Sequence, residues 1–177
     1  MRIIVWLACL FIIGGGGMLH AAVNVKVKRA VEGSFASVEK IEAEHLILSK
    51  KKASSIQKRA KAKLDTKLYR YYRFVSHGQS VGYGVLIARK VRTKKATVLY
   101  AFDPKGKLRF AEIMAFGEAP EYLPSDIWMQ QFKQQPIIAP LKLGKDIPTV
   151  SGATLTARSI SEGARIARAI LLEAIVK

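Results

Sequence analysis

The chain has 177 residues, half of them hydrophobic, and carries 30 lysines and arginines against 13 acidic residues, a formal net charge of +17. That length and apolar content suit one domain with its own core, and the charge favours polyanions: nucleic acid, anionic lipid or acidic protein. The single cysteine, Cys9, excludes a disulfide framework and a thiolate metal site.

The N-terminal residues 1–22 combine one early cation, Arg2, with an apolar run and small residues up to Ala21 and Ala22. This is the layout of an export signal, with a retained N-terminal anchor as the alternative. Cleavage would remove the only cysteine and lower the net charge by one. His45 and His77 would remain, too isolated to suggest a metal site. Export argues against nucleic acid as a partner and leaves envelope surfaces and acidic proteins.

Residues 23–69 form a basic, mainly helical region. Between Ser37 and Leu64 there is no glycine or proline, and Val38, Ile41, His45 and Leu48 recur at helical spacing, which predicts one or two helices. From Lys50 to Arg73 basic residues are opposed by Asp65 alone, either a solvated helical face or an electrostatic docking surface.

Residues 70–177 change character. "KLYRYYRFVS", "SVGYGVLIARKV" and "ATVLYAFD" read as strands, the first two joined by a hairpin at "HGQ". "DPKGK" at 103–107 predicts a second hairpin into "LRFAEIMAF". Ser125 is the expected N-cap of a short helix carrying Trp128 and Phe132 on one face. Pro136 and Pro140 then impose a loop. Ile160, Ala164, Ala167, Leu171 and Ala174 form the apolar stripe of a C-terminal helix of roughly five turns. The expected fold is α+β: one domain, an antiparallel sheet packed by the long C-terminal helix, with an N-terminal helical segment.

That last helix begins at "SGATLTARSI". Ser151, Gly152, Ala153, Thr154 and Thr156 place hydroxyls and a glycine at a helix N-terminus. A plain capping turn explains them. So does an anion site, because a helix N-terminus offers unpaired N–H groups and the positive end of the dipole. A serine hydrolase is disfavoured, with only two histidines outside the leader.

"SGATLTARSI" resembles the flavinylation motif of the FMN-binding domain family, which includes the covalent-flavin subunits of sodium-pumping quinone reductase and of the Rnf electron-transport complex. The resemblance extends over about residues 70–175: a "GY" strand, a strand ending in Asp-x-x-Gly, then a strand leading to a Glu-containing loop and a short helix. It implies FMN joined through its phosphate to the hydroxyl of Thr154 by a dedicated flavin transferase that takes FMN from FAD. Ser151, Gly152 and Ala153 would form the exposed setting of that hydroxyl, with Leu155 and Thr156 beside the phosphate or ring. Glu118 lies in the family's Glu-containing loop, and Tyr122 and Trp128 are candidates to pack on the ring or in the core. Two departures stand out. Pro148 occupies a position where relatives often carry Asp, with Asp146 two residues earlier as a possible stand-in. The loop "GEAPEY" also replaces the usual E-T-P-G.

The implied protein is a periplasmic or membrane-anchored electron carrier rather than a substrate-specific enzyme. Its partners would be a membrane reductase or cytochrome, with an anionic membrane surface as a further candidate. The alternative is a non-redox interaction module that uses its basic face at the envelope.

Overall fold

The computed structural model describes residues 25–35, 37–133 and 135–176; the expected leader, 1–22, lies outside them. Five antiparallel strands form one sheet in simple sequential order: β1 (Lys40–Ile47), β2 (Leu68–Ser76), β3 (Gln79–Lys90), β4 (Lys95–Phe102) and β5 (Leu108–Phe116). Helix α1 (Val25–Glu32) precedes β1, and α2 (Lys50–Ala60) links β1 to β2. A 3-10 turn (Pro120–Tyr122) and α3 (Asp126–Gln130) follow β5, and α4 (Thr154–Ile170) runs into a π turn (Leu171–Ile175) near the C-terminus. The fold is the expected α+β arrangement.

The strands alternate because the sheet is covered on both faces. From β4, Val98, Tyr100 and Phe102 face one core, where α2, α3 and α4 contribute Ile56, Trp128, Ile160 and Ala164. Leu99 and Ala101 face the other, under Val27 and Val31 of α1. A strand buried on both sides cannot show a polar face, which is why β4 reads as a nearly continuous apolar run.

Of the one or two helices predicted between Ser37 and Leu64, the first part is corrected: residues 40–47 are the edge strand β1. Cross-strand chemistry with β2 explains this. Glu42 lies opposite Arg73 and Glu44 opposite Tyr71; Glu42 pairs with the Arg73 guanidinium, and the Tyr71 hydroxyl donates to Glu44. Ile41 and Ala43 alternate with these acids and pack on the α1 side. Pairing and burial across the sheet outweigh the helix propensity of Glu, Ala, Leu and Lys. The second expected helix survives as α2, capped by the Ser49 hydroxyl, which accepts from Lys52 N at 3.2 Å.

The other expectations hold locally. The β2–β3 hairpin turns at His77–Gly78, and β4–β5 turns at 103–107, where the Asp103 carboxylate accepts from Lys105 N and Lys107 N. Ser125 caps α3 by accepting from Trp128 N, and the Trp128 and Phe132 rings meet edge to face at 5.4 Å.

Helix α4 crosses the sheet at Gly163. A Cβ built there would lie 2.5 Å from the Tyr100 hydroxyl oxygen, so only glycine permits this approach. The buried Tyr100 hydroxyl donates to Ile160 O at 2.7 Å, and burial pushes its pKa up. The sheet thereby fixes where the N-terminus of α4 emerges.

Candidate functional site

The approach to α4 is built from backbone. Trp128 Nε1 donates to Pro148 O at 2.9 Å, anchoring the incoming strand of chain to α3. A turn then closes with Ala153 N donating to Val150 O at 3.1 Å. Gly152 sits inside it with φ +75° and open space where a Cβ would point; a larger residue would be strained there. Ala153 occupies the N-cap and has no side chain able to cap the helix. The first turn of α4 contains no acidic residue. Its leading amides have no carbonyl to pair with inside the helix, and the positive end of the dipole is left uncompensated by a protein carboxylate.

A cleft of about 330 Å³ opens at this terminus, lined by residues 152–156 together with Arg92 and Tyr122. Thr154 is exposed, and its hydroxyl donates to Val150 O at 3.2 Å. Leu155 is 46 % exposed, whereas Thr156 and Ala153 are buried, at 1 % and 4 %. The Arg92 guanidinium lies over the Tyr122 ring, 4.4 Å from its centroid, a cation–π contact that holds both at the mouth of the cleft.

Arg92 belongs to the β3–β4 connection, and Glu118 holds that connection in shape. Its carboxylate accepts from the backbone N–H groups of Arg92 (2.9 Å), Thr93 (2.7 Å) and Lys94 (2.7 Å), and from the Thr93 hydroxyl at 3.2 Å. These donors, the Lys94 amide foremost, pull its pKa down to about 2 against the opposing effect of desolvation.

The structure therefore brings Gly152, Ala153, Thr154, Leu155, Thr156 and Tyr122 to one cleft. Ser151 is exposed on the preceding turn and does not line it. Trp128 is 7 % exposed in the main core, where it braces Pro148 rather than facing the cleft. Glu118 acts on the cleft through the loop it fixes. Asp146, the possible stand-in for the missing acid, is turned to its own loop, accepting from Lys142 N at 2.8 Å. Sequence reasoning missed Arg92. It is one of 30 basic residues, and only the β3–β4–β5 register, which sets its turn beside Glu118, distinguishes it.

Residues 93–169 match the family model of the FMN-binding domain. Over this segment the chain is similar to the FMN-binding domain family. The segment falls inside the range on which the sequence resemblance rests and contains Glu118, Tyr122 and the whole 151–156 turn. No curated protein matches the chain. That similarity supports FMN as the cofactor of a flavoprotein, and the cleft fits that group. The unfilled helix N-terminus and Arg92 suit a phosphate, while Tyr122 and Leu155 offer apolar surface to a flat ring. The volume lies in the range typical of small-molecule clefts, roughly 300–1,000 Å³.

Proposed function

We propose that this FMN-binding domain is an exported electron carrier whose FMN is held by a phosphoester to Thr154. The observation that carries the reading is the exposed Thr154 hydroxyl at an uncapped helix N-terminus inside a cleft that also presents Arg92. Gly152 supplies the positive φ of the turn before that oxygen and leaves open space beside it. In the attachment reaction, a flavin transferase directs Thr154 Oγ1 onto the FMN-side phosphorus of FAD. The new O–P bond forms as the pyrophosphate bond breaks, AMP departs and the hydroxyl proton is released.

The leading amides of α4, the Arg92 guanidinium and Thr156 would hold the phosphate. Tyr122 and Leu155 would offer apolar surface to the ring. The bound flavin supplies reversible electron transfer; the chain supplies binding, orientation and electrostatics. A membrane reductase or cytochrome would exchange electrons with it, and covalent attachment suits a compartment where lost flavin is not replaced.

Peptide mass spectrometry of the chain purified from cells with an active flavin transferase tests this reading. The expected result is one peptide spanning residues 150–158 that carries the mass of FMN less one water, with fragmentation placing it on Thr154. FMN released by denaturation, with every peptide unmodified, would sink the covalent reading.

A further inference from the structure

Away from the flavin cleft, the loop between α3 and α4 forms a second depression of about 480 Å³, lined by Ile137, Ile138, Arg59, Lys105, Arg165 and Arg168 among others. Two features set it apart. The first is an exposed apolar tip: Ile138 is 88 % and Ile137 44 % exposed, bracketed by Pro136 and Pro140. The second is the charge behind that tip. Among the described residues, the only carboxylate within ion-pair distance of any of these four cations is Glu173, 3.7 Å from Arg59.

The loop is held in place by the same cations. Arg168 donates to Ile137 O (2.5 Å) and Ala139 O (2.8 Å), and Arg165 donates to Leu141 O (3.1 Å) and Ala60 O (2.8 Å). Leu141 is fully buried with φ +53°, so the segment after the isoleucines is anchored in the core. The isoleucines are thus presented outward by a fixed loop, and their exposure is part of the packed structure. Both guanidiniums are half-buried, and desolvation outweighs the attraction of Glu162 for Arg165 and of Asp146 for Arg168, a cost that a bound anion would offset.

We propose that this face is a docking site for an anionic lipid bilayer, with Ile137 and Ile138 entering the interface and Arg59, Lys105, Arg165 and Arg168 meeting acidic headgroups. The order of the groups favours lipid over an acidic protein: the apolar residues stand at the tip and the cations behind them, the same order as acyl chains beneath phosphates. Helix α2, which carries Arg59, also exposes Lys50, Lys51 and Lys58. The proposal is independent of the flavin and holds whether or not Thr154 is modified.

The test follows backbone hydrogen–deuterium exchange of the full chain with vesicles of phosphatidylglycerol and phosphatidylcholine, and with phosphatidylcholine alone. Protection of the amides at 137–142 on the anionic vesicles only is the expected result. Ile138→Asp should lower that protection about tenfold, the scale of one inserted isoleucine, and Arg59→Gln or Lys105→Gln about fivefold each. All three side chains are on the surface, and circular dichroism confirms that the variants remain folded. Absence of protection at 137–142 on either vesicle would overturn the proposal. Protection lost in the charge variants but unchanged in Ile138→Asp would also overturn it, since the isoleucines would then not enter the bilayer.

Discussion

Thr154 and Ser151 are three residues apart on the same turn, and both carry exposed hydroxyls. Only Thr154 lines the cleft. Ser151→Ala should therefore leave flavin content unchanged, whereas Thr154→Ser keeps a hydroxyl at the attachment atom and should retain flavin in part. Arg92 contributes charge where the phosphate would lie. A charge-assisted hydrogen bond is worth about 1.5–3 kcal/mol, so Arg92→Gln should slow flavin loading by roughly tenfold or more, read as flavin absorbance per chain against time with purified transferase. Glu118 acts one step further back, by holding the Arg92 loop. Its pKa is lowered in the folded protein from 4.5 to about 2. The stability it contributes is complete above the ordinary value and is lost as pH falls through the lower one. The stability advantage of the wild type over Glu118→Gln should accordingly shrink as pH drops from about 4.5 to about 2, measured by urea unfolding midpoints. An advantage that stays constant across that window would remove this role.

At the scale of elements, the contact between α4 and β4 decides where the cleft sits. Gly163→Leu drives a side chain into the Tyr100 ring, which cannot move without disturbing the core. Overpacking of this kind costs about 1–3 kcal/mol, and a fall in melting temperature in calorimetry should report it. Helix α4 itself was legible in the sequence, because its apolar stripe and the turn before it agree. The two hairpins were legible for the same reason, since "HGQ" and "DPKGK" mark turns between runs of strand formers. Strand β1 was not. Ile41 and Ala43 are spaced for one face of a strand, but Val38, Ile41, His45 and Leu48 fit a helix equally well, and the deciding partners, Tyr71 and Arg73, lie about thirty residues away. Arg92 was hidden for a related reason: its place beside Tyr122 depends on a register that no local pattern records. Trp128, a candidate for the ring or for the core, packs in the core and donates its indole N–H to Pro148 O.

For the molecule as a whole, the two ends of α4 carry different chemistry. Its N-terminus opens on the cleft proposed for the flavin, and its C-terminal half backs the loop with the exposed isoleucines. Lys52 and Ser55 of α2 donate to the Glu173 backbone carbonyl and carboxylate at 2.6 and 2.5 Å, tying α2 to the C-terminal π turn on that second face. An electron carrier arranged this way would keep its cofactor at one end of the helix while the other end rests on a charged surface. The central claim remains the bond at Thr154, and in-gel flavin fluorescence tests it most directly. The wild type and Thr154→Val are each produced with an active flavin transferase, denatured and separated. The account predicts a fluorescent band at the position of the wild-type chain and none for Thr154→Val at equal protein loading. A fluorescent Thr154→Val band, or a dark wild-type band from cells in which the transferase modifies a control substrate, would contradict it.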